Sequence, residues 1–141
     1  MLMATIQPAV VVGAAILRGA PPHRQVLAAQ RSHPPELAGW WEFPGGKVEA
    51  AESEATALVR ECAEELGVQI TVGRRVGNDV SVVGGAAVLR VWTASITGGD
   101  PVPAEHAALR WLGVDELDDV AWLPADVPVV QALRRVLLEL A

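Results

Sequence analysis

Between Gly45 and Val68 the chain reads GGKVEAAESEATALVRECAEELGV, which places six glutamates in twenty-four residues. Only Arg60 stands among the five acids that run from Glu52 to Glu65. Ser53 can open a helix here, its hydroxyl accepting from an N–H of the first turn. Gly67 suits the left-handed position that closes one. The segment is therefore expected to be helical from about Glu54 to about Leu66. On a 3.6-residue period Ala55, Val59, Cys62 and Leu66 fall on one side and are predicted to pack inward, while Glu61, Glu64 and Glu65 form an acidic stripe. Most charge runs are solvated helix faces. Against that, Glu64 and Glu65 occupy the last turn, where the helix's negative end disfavours anions. Each exposed like-charge pair one turn apart also costs roughly 0.2–0.5 kcal/mol. A hard divalent cation would relieve the repulsion, and Mg²⁺ commonly binds through one or two carboxylates while keeping positions for water and substrate phosphates. Spacing and charge alone leave the metal site and the solvated face both open.

The rest of the chain supplies a sheet for this helix to pack on. Its 141 residues fit one domain with one core, expected to span 1–141. AVVVGAAILR is rich in β-branched residues and suits a strand buried on both faces. GAPPHR is a turn into a second strand, QVLAAQR, and SHPPELAG is a loop. WWEFPGG is a short extended segment. After Gly67, VQITVGRRVGNDVSVV, AAVLRVWTASI and AALRWLG read as strands, the first two separated by the Gly84-Gly85 turn. VDELDDV is a short helical turn. PADVPVVQALRRVLLELA is a closing helix with Pro128 in its first turn, where a missing N–H costs little. Its Val129, Leu133, Val136, Leu137 and Leu140 recur at helical spacing and should face the core. Two helices on a mixed sheet of five to seven strands make a layered α/β domain.

Composition narrows the function classes. A formal net charge of −6 argues against gripping duplex nucleic acid by its phosphates. An acidic protein that handles phosphates needs a cation between itself and its substrate. The single Cys62 excludes an internal disulfide framework and a multi-cysteine metal cluster, so a reducing, cytoplasmic setting is expected. The apolar run near the N-terminus follows no basic residue and is broken by Pro8, Gly13 and Arg18, so neither a membrane span nor a leader is expected.

The residues Gly46, Glu52, Arg60, Glu61, Cys62, Glu64, Glu65, Gly67 and Val68 meet a known pattern position for position, and the stretch 46–68 resembles the Nudix box. The one mild departure is Cys62 in place of a larger aliphatic, and a free Cys behaves as a small hydrophobe. The segments VLAAQR, ELAGWWEFPGGKVE, LVRECAEELGV, EHAALRW and LPADVPVV extend the likeness over most of the chain. They resemble the MutT-like branch of that family, closest to members acting on CTP, dCTP and their oxidised or 5-substituted forms. The resemblance implies a Nudix fold, a mixed sheet sandwiched between helices in α/β/α order. It also implies hydrolysis of a nucleoside triphosphate to monophosphate and pyrophosphate with Mg²⁺, or Mn²⁺ in its place.

Carried over by position, Glu61, Glu64 and Glu65 are implied metal ligands, with the main-chain carbonyl of Gly45. Glu52 and Arg60 would pair and brace them, and Lys47 would offer a cation to the phosphates. Glu105, six residues before Trp111, is the candidate further ligand or base, against a solvated loop acid. His106 reads as structural or surface. Arg31 is a candidate contact to phosphate or base, against a surface arginine. Of Trp41 and Phe43, one is expected in the core and the other, with Phe43 the candidate, at the base.

Asp126 is the discriminating position. MutT proper has Asn there, whereas an ionised Asp can only accept hydrogen bonds. Cytosine's exocyclic amine suits such an acceptor, and so does the N1–H and N2–H₂ edge of guanine. The competing role for Asp126 is an N-cap for the closing helix. The resemblance thus favours cytosine nucleotides, with 8-oxo-dGTP cleavage in nucleotide-pool sanitising as the alternative. A non-catalytic nucleotide sensor is disfavoured because every box glutamate is present. No duplex nucleic acid or membrane partner is expected, and the chain is expected to be a monomer or small homo-oligomer.

Overall fold

The computed structural model describes residues 8–139. The first strand, β1 (Ala9–Arg18), is followed by β2 (Gln25–Arg31), β3 (Trp41–Glu42) and β4 (Gly45–Lys47). Helix α1 (Glu54–Leu66) comes next, then β5 (Gln69–Val82), β6 (Ala87–Gly98) and β7 (His106–Gly113). Two 3₁₀ turns, Val114–Asp119 and Pro124–Asp126, lead into α2 (Val127–Leu138). The strands form one mixed sheet in the order β3-β2-β1-β6-β5, with β4 on β1 and β7 on β2. Among the described residues β1 and β6 run parallel, and the other strand pairs are antiparallel.

Because side chains alternate along a strand, β1 feeds two cores. Val12, Ala14 and Ile16 join Leu58, Cys62 and Leu66 of α1 on one face. Ala15 and Leu17 join Val129, Leu133 and Leu137 of α2 on the other. This is the expected α/β/α layering. Val129, Leu133, Val136 and Leu137 are buried as their spacing predicted, and Leu140 lies outside the described residues.

Helix α1 begins and ends where its caps place it. The Ser53 hydroxyl accepts from the Thr56 N–H at 3.1 Å, and Gly67 adopts φ 70° with its N–H on the Ala63 carbonyl. Its inward face differs from the expected one: Ala55 and Val59 are exposed, and Ala57, Leu58, Cys62, Glu65 and Leu66 are buried. The large Leu58 side chain takes the core position, and rotating the helix to bury it brings Glu65 in against the sheet. Trp41 and Phe43 both reach the core, and of the two Phe43 also borders a cavity. Two residues apart in extended chain they share a face, and both pack in the α2-side core, Phe43 stacking 4.9 Å from Trp122.

One topological detail makes the site. Strand β2 pairs with β1 only at Leu17–Val26 and Arg18–Gln25, while β4 pairs with the other end of β1 at Val11, Val12 and Gly13. The chain passes from β3 to β4 across the gap so created, anchored by the Ala14 N–H on the Pro44 carbonyl at 2.8 Å. Glu42, Phe43, Gly45 and Gly46 are thereby set beside the C-terminal half of α1.

Candidate active site

The acidic stripe divides when the helix docks. Glu61 and Glu65, four residues apart, project toward the sheet, whereas Glu64, about 100° further round, has its side chain 57% exposed. The three glutamates therefore do not share one environment as expected. Glu61 is held from behind: Arg60 Nη1 donates to its Oε1 at 2.9 Å. The same guanidinium donates through Nε and Nη2 to Glu52 at 2.8 and 2.9 Å, and Nη2 also reaches the Lys47 carbonyl. The Arg60 hydrogen bonds and the Glu49 N–H hold the Glu52 carboxyl down at about 2. The expected Glu52–Arg60 pair is thus present, and it extends to Glu61.

Glu65 is the unusual member. It is buried, and among the described residues its side chain accepts one hydrogen bond, from the Gly45 N–H at 3.2 Å. Burial first, then the charge of Glu61, with smaller contributions from Glu42 and Glu105, pushes its carboxyl up to about 8. Among the described residues no cationic side chain pairs with it. Glu105, from the loop before β7, lines a small pocket of about 70 Å³ together with Glu65, Glu42 and Arg31. Gly46 lies so close to Glu61 that a Cβ there would sit 2.5 Å from Oε1.

Among the described residues no three acidic, imidazole or thiol groups converge as a finished metal cage. The donor set nonetheless fits a hard divalent cation. All the donors are oxygens, and Glu65 is a buried carboxyl that lacks a counter-charge, surrounded by three other acids. An acid whose folded-state pKa is raised contributes stability that is complete below its unfolded pKa and is lost as pH rises through the folded one. For Glu65 that window runs from 4.5 to about 8, and for Asp126 from 3.8 to about 8. Metal-free protein is therefore predicted to melt at a lower temperature at about pH 8.5 than at about pH 6, with added Mg²⁺ recovering more at the higher pH because the cation displaces a proton. Thermal denaturation with and without Mg²⁺ checks this; a metal-free melting temperature that climbs across the same range would contradict it.

A second, larger cleft of about 310 Å³ shares Arg31, Glu42 and Glu65 with the small pocket. It runs past Phe43, Gly45 and Gly46 to Asp126, between apolar walls that include Leu89 and Leu123. Asp126 occupies the N-cap position of α2, but its side chain makes no capping hydrogen bond. Burial, and secondarily the charge of Glu42, pushes its carboxyl up to about 8. Burial thus disfavours the ionised Asp126 expected from the sequence, and among the described residues no ion pair or side-chain hydrogen bond offsets it.

Arg31 is no free surface arginine: its Nη1 lies 3.0 and 3.2 Å from the two Glu42 oxygens, and its Nε donates to the His33 carbonyl. The His106 side chain is buried, and its Nε2 lies 3.0 Å from Glu42 Oε2, an oxygen Arg31 also contacts. Lys47, the one lysine of the chain, is exposed and lines neither cavity. Glu42 escaped the sequence reading, although a two-residue period places it on the face opposite Trp41 and Phe43.

A family model described as NUDIX domain matches residues 7–133. A protein of Mycobacterium tuberculosis named putative 8-oxo-dGTP diphosphatase 2 is 48% identical over 131 residues, covering 91% of this chain and 89% of the relative. The CTP pyrophosphohydrolase of Escherichia coli K12 is 41% identical over 109 residues, covering 77% and 81%. The solution structure of the E. coli ORF135 protein superposes with a TM-score of 0.76 at 34% identity, covering 93% and 91%.

Proposed function

The chain belongs to the Nudix hydrolase family, and from that membership we propose that it cleaves a nucleoside triphosphate to monophosphate and pyrophosphate, favouring CTP or dCTP. The observation that carries this reading is the buried Glu65 carboxyl, without a counter-charge, at one end of a cleft that ends at Asp126. One end has the chemistry for metal and phosphates, the other for a base. Residues 1–141 would act as one catalytic domain.

Glu61, Glu64, Glu65, Glu105 and the Gly45 carbonyl would hold Mg²⁺, or Mn²⁺ in its place. When bound, such an ion neutralises the polyphosphate and lowers the pKa of a water at phosphorus. The chain's own residues do the rest. Arg60, gripped by Glu52, would aim the Glu61 carboxylate. The Gly45 N–H fixes one oxygen of Glu65. Glu105, which lines the small pocket with Glu65, would take the proton of the attacking water. Lys47 is close enough in sequence to Gly45 and Gly46 to swing an exposed ammonium over the phosphates. Arg31 lines both cavities and would steady the substrate where they meet. Phe43 forms part of the cleft wall and Asp126 reads the base.

The second reading, 8-oxo-dGTP cleavage, is favoured by the name of the M. tuberculosis relative. A panel of normal and oxidised ribo- and deoxynucleotides assayed with Mg²⁺ for pyrophosphate separates the two. CTP or dCTP should show the highest kcat/KM. A higher value for 8-oxo-dGTP moves the assignment to the second reading, and no turnover of any triphosphate refutes both.

A further inference from the structure

Asp126 is a carboxyl with little to hold a charge, and the following inference rests on the reading that a nucleobase enters its cleft. The residue is only 5% exposed. Among the described residues no ion pair or side-chain hydrogen bond reaches it. Pro128, in the first turn of α2, has no N–H to give. The charged groups facing the cleft are Glu42 from β3, Arg31 from β2 and Glu65 from α1. Arg31 is engaged by Glu42, so its guanidinium offers Asp126 little compensation. The first turn of α2 carries no acid, and its sequence, Val-Pro-Val-Val, brings no charge of either sign. The positive end of the helix favours an anion, but without an N–H aimed at the carboxyl it does not offset burial, which raises the pKa to about 8.

We propose that Asp126 reads the base as a neutral carboxylic acid, its O–H donating to N3 of cytosine while its C=O accepts from the exocyclic amine. A carboxylate can make only the second of these bonds, and it would face the lone pair of N3. The same cleft then serves 8-oxoguanine, whose O6 and N7–H present one acceptor and one donor, whereas O6 and N7 of unoxidised guanine are both acceptors. One side chain in one protonation state thus accommodates both bases named among the relatives. Above neutral pH the match to cytosine is lost as the acid ionises.

The test is binding of dCMP without metal, by calorimetry, to wild type and Asp126→Asn. Asparagine keeps a donor and an acceptor at every pH. Wild-type affinity should fall about tenfold between about pH 7 and about pH 9, following the loss of neutral acid. Affinity of the Asn variant should stay flat across that range, as its amide does not titrate. Equal wild-type affinity at both pH values, absence of dCMP binding, or a parallel fall in the variant overturns the proposal. Should the variant fail to fold, the ¹³C shift of the wild-type Asp126 carboxyl decides. Its midpoint should lie near 8 and move upward with dCMP; a midpoint in the ordinary carboxylate range, or a downward move, overturns the proposal. Triphosphate turnover is scored apart: dCTP cleavage alongside pH-independent dCMP binding removes the neutral-acid reading alone, and no cleavage of any nucleotide removes the hydrolase reading.

Discussion

Glu65→Gln is expected to cut Mg²⁺-dependent pyrophosphate release by roughly a thousandfold or more while leaving the protein folded. A carboxylate that helps seat a divalent cation supports several kcal/mol of transition-state stabilisation, and each 1.36 kcal/mol is tenfold in rate. Gln keeps the shape and can still accept the Gly45 N–H bond of 3.2 Å, so the loss is one of charge rather than packing. The same change removes the buried acid that titrates at about 8. The variant should therefore lose less stability than wild type as pH rises from 4.5 to about 8, which separates a charge effect from misfolding. A Glu65→Gln protein with near-wild-type turnover would refute the assigned role, and one unfolded at every pH would refute the claim that the carboxyl is dispensable for the fold.

Gly45→Ala is expected to destabilise the protein by at least about 3 kcal/mol, at the upper end of what overpacking causes. A Cβ at Gly45 would stand 1.9 Å from the Val12 carbonyl oxygen and 2.9 Å from the Gly13 Cα. Both are backbone atoms of β1, so no side chain can swing aside, and β4 must move away from its partner strand. That movement also withdraws the N–H from Glu65. Gly98→Ala is the control: its Cβ would meet Gln69 side-chain atoms at 3.4 to 3.7 Å, an ordinary contact. It should cost about 1 kcal/mol or less by strand propensity and packing. Urea unfolding of the two variants measures the difference, and equal midpoints would contradict the account.

Much of this was written locally in the chain. Ser53 and Gly67 set the bounds of α1 because capping depends on residues within one turn, and the β-branched run at Val10–Val12 marked a strand buried on both sides. The pairing of Glu52 with Arg60 follows from a motif whose partners lie eight residues apart. What stayed hidden depends on tertiary contacts. The α1 face was misjudged because Leu58, not Val59, meets the sheet, and that rotation turns Glu65 inward and Glu64 out. Glu42 drew no notice because its partners, Arg31 on β2 and His106 on β7, are brought to it by strand pairing. The environment of Asp126 is hidden for a similar reason: an aspartate in sequence is presumed charged, and only the enclosed cleft shows what its charge would cost.

The most direct measurement is ³¹P NMR of dCTP incubated with the protein and Mg²⁺. The account predicts dCMP and pyrophosphate in equal amounts, no reaction when the cation is chelated, and no reaction with Glu65→Gln. Formation of dCDP and phosphate, or turnover that persists without a divalent cation, would contradict it.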